Sequence, residues 1–158
     1  MKVLYVLALM LMFISCESDD EQFSLNQDEI IVGLSFGQCG GDCSYVFLIQ
    51  DNKVFPDEGV DRIPIDPSEL SFSSIPLDGF DTSRIDSLLD EYPVNLSDFE
   101  QADFGCPDCG DWGALHVFRS SEVGIFESYT LDNATSNMNP ALQPYGELLQ
   151  RSIDDFRR

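Results

Sequence analysis

Basic residues are scarce in this 158-residue chain. Eight Lys and Arg stand against 29 Asp and Glu, for a net charge of −21 at pH 7. Such a polyanion is repelled by nucleic-acid phosphates and by anionic lipid headgroups, which excludes DNA or RNA binding. Histidine is limited to His116. Ser/His/Asp hydrolysis would need that residue, and the chain has no Gly-x-Ser-x-Gly elbow. A lone His sharing a strand face with Ala114 and Phe118 reads as a structural residue. The single tryptophan, Trp112, reads as a core anchor. No Asp-x-Asp-x-Asp-Gly run is present, so the abundant acids read as solubility rather than as a Ca2+ loop. Adjacent acids such as Asp19-Asp20 and Asp154-Asp155 single out no glycosidase pair. Gly40-Gly41 precedes a strand pattern, not a helix, and so cradles no phosphate.

Long apolar runs are also missing. The longest stretch, Val3 to Ile14, has twelve residues. A membrane-spanning helix needs about 20. Lys2 precedes the run, small Ser15 and then Cys16 follow it, and Glu17-Ser18-Asp19-Asp20-Glu21 comes next. This order of charge, short apolar segment, small residue and cysteine resembles the lipobox of bacterial lipoprotein signals, although Phe13 stands where Leu is usual. The resemblance implies cleavage after Ser15 and a lipid on the Cys16 thiol. The acidic run after Cys16 resembles the surface-export signal of bacteroidete-type lipoproteins; it equally suits a solvated spacer. Removing residues 1–15 takes Lys2 and no acid, which moves the net charge from −21 to −22. The expected organisation is a signal peptide at 1–15, an acidic tether at 16–28 and one domain at 29–158, long enough for a real core.

Within that domain the hydrophobic period changes from two to 3.6. Residues 30–36, 44–50 and 53–55 are β-branched and apolar and predict strands, with Asp51-Asn52 as a turn. Residues 56–80, rich in Pro, Asp, Ser and Gly, predict an irregular loop with at most a brief strand near Ile63. Asp81-Thr82-Ser83 supplies N-cap candidates, Ile85, Leu88 and Leu89 fall on one helical face, and Pro93 closes the helix. Residues 94–111 read as a second loop. Residues 112–119 and 123–131 predict a hairpin, with Val123, Ile125, Tyr129 and Leu131 on one face. Leu142, Tyr145, Leu148, Leu149, Ile153 and Phe156 mark a C-terminal amphipathic helix, with Pro144 in its first turn. The expected fold is α+β, a mainly antiparallel sheet with two helices on one face.

Four cysteines remain after Cys16. Phe36-Gly37-Gln38-Cys39-Gly40-Gly41-Asp42-Cys43 and Phe104-Gly105-Cys106-Pro107-Asp108-Cys109-Gly110 each open with Phe-Gly, each end in Asp-Cys, and suggest an internal strand–helix duplication. Three chemistries could use Cys39, Cys43, Cys106 and Cys109. Oxidising surroundings and an even count favour disulfides, local or crossed between the pairs. Cys106-Pro107-Asp108-Cys109 has the look of a zinc knuckle, so a tetrahedral site on all four thiolates is an alternative. Thiol redox is a third, although Asp42, Asp108 and Asp111 would raise a thiol pKa.

The Cys39-Gly40-Gly41-Asp42-Cys43-Ser44-Tyr45 pattern, the later Cys106-Pro107-Asp108-Cys109 and the closing helix together resemble a group of uncharacterised bacterial envelope lipoproteins. No activity travels with that resemblance. The expectation is a non-enzymatic, disulfide-braced binding or assembly domain, held at the outer membrane through Cys16, without cofactor, and with a protein or small molecule as partner.

Overall fold

The computed structural model describes residues 25, 26, 28–59, 64–93, 103–107, 109, 113–120 and 126–158. Their strands are β1 (Ile30–Ser35), β2 (Ser44–Gln50), β3 (Lys53–Pro56), β4 (Asp103–Phe104), β5 (Ala114–Ser120) and β6 (Phe126–Asp132), and their helices are α1 (Ser83–Asp90) and α2 (Gln143–Phe156). The strands form one open six-stranded sheet in the order β3-β2-β1-β5-β6-β4. All neighbours run antiparallel except β4, which lies parallel to β6. The expected α+β architecture is the observed one.

The β-branched run Ile30-Ile31-Val32 places β1 in the interior of this sheet, and all six of its residues are buried. Alternation sorts its side chains to two faces. Ile30, Val32 and Leu34 join Phe47, Ile49, Val54, Leu115, Val117 and Leu131 in the main core. Both helices lie against that face. The α1 positions Ile85 and Leu88 are buried, as are Leu142, Tyr145, Leu148, Leu149, Ile153 and Phe156 at the C-terminal helix. Each such side chain contributes about 1.5–3 kcal/mol.

Ile31 faces the other way. It packs with Leu25, Val46, Ile65 and Phe118, bordered by Leu48, Leu70 and Phe72. The cover therefore comes from the long connection between β3 and α1, which is irregular yet structural. Its backbone also runs beside the β3 edge: Glu58 N–H donates to the Ser71 carbonyl, Ser73 N–H to Pro56 and Leu77 N–H to Val54. An edge strand ending in proline is thereby shielded. The expected strand near Ile63 lies outside the described residues. Packed chain also reaches back to Leu25, within the segment expected to be tether.

Turn chemistry sets the registers. Asp51 and Asn52 adopt φ of 50° and 57°, the left-handed pair that a two-residue hairpin requires. Asp81 accepts from the backbone and hydroxyl of Ser83, while its own N–H reaches Asp155 and links α1 to α2. Chain order repeats, with three strands and a helix in each half, but the pairing differs. β1 pairs antiparallel with β2, whereas β4 sits parallel on the far side of β6. Tyr129 and Leu131 lie in the main core; Trp112, Val123 and Ile125 are outside the described residues. No helix among the described residues is long and apolar enough to cross a membrane.

Gly113 is where the halves meet. Its φ is +83°, and a Cβ placed on it would lie 2.6 Å from the Ser35 carbonyl oxygen and 2.7 Å from the Phe36 ring. Gly113→Ala should therefore lower stability by at least about 2 kcal/mol, through left-handed strain and backbone collision. Denaturant unfolding checks this, and an unchanged midpoint would contradict the close approach.

Candidate functional site

Strand register brings both cysteine segments to one end of the sheet. Ser35 at the end of β1 is paired with Ser44 at the start of β2 and with Ala114 at the start of β5. Ala114 is in turn paired with Asp132, and Phe104 with Leu131. The loops after β1 and after β4 therefore leave from the same edge. The chain entering β1 is at the opposite end, where Glu29 hydrogen-bonds Gln50 beyond the Ile30–Ile49 pair.

The bridges are local. Cys39 pairs with Cys43 and Cys106 with Cys109, at Cα separations of 5.6 and 5.4 Å, ordinary for disulfides. The first clips the β1–β2 connection, whose neck is closed by Phe36 N–H donating to the Cys43 carbonyl at 2.8 Å. At its tip Gly40 and Gly41 are exposed, and a Cβ on either would meet nothing within 4 Å. The second bridge spans a tight turn, with Cys109 N–H donating to the Cys106 carbonyl at 3.0 Å. In the chain-entropy model loops this short stabilise by about 2 kcal/mol each, against about 4 for a bridge between the pairs. The bonds stiffen two loops rather than clamp two halves together.

Asp132 anchors the second loop. It is 1% exposed. Oδ2 accepts from Cys106 N–H at 3.0 Å and from Asn137 Nδ2 at 2.9 Å, and Oδ1 accepts from Ala134 N–H at 2.8 Å. Gly105, at φ +89°, permits the approach; a Cβ there would lie 2.7 Å from the Asp132 Cβ. Cys106 follows β4 and opens no helix among the described residues, whereas a redox cysteine is commonly activated at a helix start. A zinc site would have to draw together pairs rooted on β1 and β4, three strand spacings or about 14 Å apart. Among the described residues no group of three His, Cys, Asp or Glu side chains is placed to hold a metal.

His116 meets Ser35 across the β1–β5 pairing, with Nε2 2.8 Å from Oγ. Its ring lies parallel to Phe118, with centroids 6.3 Å apart. Burial pulls its pKa down to about 4, against a smaller opposing pull from Asp103. The imidazole is thus neutral at pH 7. Ser35 is buried at 6% exposure, and His116 is partly buried beside it. This pairing is a structural hydrogen bond between strands.

A cleft opens beside the first loop. β3 pairs only with Phe47–Gln50, and past Pro56 the chain turns off with Asp57 N–H on the Val46 carbonyl at 2.9 Å. The gap, about 210 Å3, is lined by Asp42, Tyr45, Phe47, Pro56, Asp57 and Gly59 among others. Asp42 is exposed, and Arg157 lays its guanidinium carbon 3.8 Å from the centre of the Tyr45 ring.

Sequence reasoning found the four cysteines and His116. Cys16 and Asp108 lie outside the described residues, as does Asp111. It missed Ser35, Asp132 and the cleft. Asp132-Asn133-Ala134 does carry a turn signature, which says nothing of its buried carboxylate. No family model, curated protein or solved structure matches this chain.

Two outcomes follow for this end of the sheet. Asp132→Ala strands three N–H donors and should cost about 3 kcal/mol or more, read from chemical denaturation, with Asp132→Asn in between. The folded His116 pKa, about 4, lies below its ordinary 6.5. Its contribution is therefore complete above pH 6.5 and is lost as pH falls towards 4, by up to about 3 kcal/mol. In His116→Gln that component of the pH–stability curve should vanish; identical curves would contradict the neutral, partly buried ring.

Proposed function

We propose that this protein is a lipid-anchored envelope lipoprotein whose domain binds a partner through the sheet end that bears both disulfide loops. One observation carries the reading: both bridges close tiny loops at the same end, opposite the chain's entry into β1. None of the four cysteines belongs to the main core. Gly40 and Gly41 are exposed with open space where side chains would be, so the first bridge fixes the shape of a solvent-facing loop. Fixing a loop in advance lowers the entropy lost on association, which is how a stiff surface gains affinity.

The anchor is supported by the order Lys2, apolar Val3–Ile14, Ser15, Cys16 and the acidic run. A lipid adds about 0.8 kcal/mol per buried CH2, and two or more chains make attachment stable. The location that fits is the outer membrane, with the acidic run consistent with surface display. Oxidised cysteines accord with export.

Cys16→Ser should abolish incorporation of labelled palmitate and move the protein from the detergent phase to the aqueous phase. A photo-crosslinking residue at Gly40 should give discrete adducts with an envelope component, and one at Asn52, on the β2–β3 turn at the other end, should give none. Retention in the detergent phase would sink the anchor, and equal adducts from both ends would sink the binding surface.

A further inference from the structure

Resting on that binding surface, we propose that the cleft beside the first disulfide loop receives an arginine side chain from an exposed segment of the partner protein. Size argues for a single side chain. The cleft measures about 210 Å3, below the roughly 300–1,000 Å3 of sites that enclose whole small molecules. Chemistry argues for a cation. Asp42 and Asp57 supply carboxylates on its wall, Tyr45 an aromatic ring, and Pro56 and Phe47 apolar surface for a methylene stem.

The Tyr45 ring already engages one guanidinium, that of Arg157, which is not part of the cleft lining. Arg157 of this chain sits 3.8 Å from the Tyr45 ring centre, so the ring is turned to meet that group. Guanidinium is planar and weakly hydrated, and it stacks on aromatic faces better than an ammonium does. The surroundings help: with 29 acids against eight bases, the chain's field draws cationic segments in and repels anionic ones. A free amino acid fits worse than a residue within a chain, because its α-carboxylate would meet Asp42 and Asp57.

The test is NMR titration of the full chain in detergent at 150 mM salt, with N-acetyl-arginine methylamide as probe. Saturable shifts should be confined to Asp42, Tyr45, Phe47, Asp57 and Gly59, with none for the neutral citrulline analogue. Asp42→Asn and Tyr45→Leu should each weaken binding at least fivefold, Tyr45→Phe should preserve it, and Arg157→Ala should tighten it by removing a competing cation. Free arginine should bind more weakly than the capped form. Shifts scattered over all acidic loops, indifference to Asp42→Asn and Tyr45→Leu, or weaker binding in Arg157→Ala would each overturn the proposal. If Gly40 crosslinks persist while the probe fails to bind, the ligand class falls and the binding surface stands.

Discussion

Every layer of this molecule depends on burying β1 from both sides. Its six residues are inaccessible, and an unpaired or uncovered strand of Ile, Val and Leu would be an aggregation template. Hydrogen bonding solves the lateral problem, with β2 on one edge and β5 on the other. The β1–β5 pairing is also the seam between the first three strands and the last three, so it holds the sheet together. The faces are solved unequally. Helices α1 and α2 cover Ile30, Val32 and Leu34, while Ile31 is covered by Ile65 and by the bordering Leu70 and Phe72 of an irregular segment. Gly33 shows how tight that second cover is, since a Cβ there would come within 3.2 Å of the Ile65 side chain.

The shortage of cations shapes the polar interior. Buried carboxylates are usually matched to Lys or Arg. Here Asp132 is matched to two backbone N–H groups and an amide, and Glu29 to Asn26 backbone and side chain and to Gln50. The arginines of α2 and its C-terminus spend their charge locally, on exposed pairs with Glu147, Asp154 and Asp155. Exposed pairs of this kind contribute 0–1 kcal/mol. Arg119 lies over the ring of buried Tyr92, 4.6 Å from its centre, and Arg157 also lies over the ring of Tyr45. Amide donors provide what ion pairs provide elsewhere, without adding countercharge.

What the sequence revealed follows from how each element is stabilised. Helix α2 shows its apolar period over 14 residues, and each expected core position is buried. The Asp51-Asn52 turn was legible because few residues accept left-handed φ. β4 was not: two residues show no period, and Phe104 becomes a strand residue through its pairing with β6 and its contact with Tyr129. The cover over Ile31 was equally hidden, because Ile65, Leu70 and Phe72 follow no repeat; their burial is dictated by a strand 30 or more positions earlier in the chain. At the candidate site the cysteines were legible as types, but their pairing waited on geometry. Sequence left local and crossed bridges open, and local separations of four and three residues stabilise by about half as much as a crossed bridge would in the chain-entropy model. The cleft depends on where β3 stops pairing with β2, a tertiary fact without a local signature.

On the lipoprotein reading, orientation follows from reach and charge together. Nine residue steps separate Cys16 from Leu25, the first described and buried residue. Fully extended they cover at most about 30 Å. The domain thus stays within one linker length of the bilayer, and the end where the chain enters β1 is drawn towards it. A body carrying a net charge near −22 is repelled from anionic headgroups over roughly a Debye length, about 8 Å at physiological salt. A short leash at one end and repulsion over the whole surface favour one pose, with the sheet's other end outermost. That end carries both disulfide loops and the cleft lined by Asp42 and Asp57.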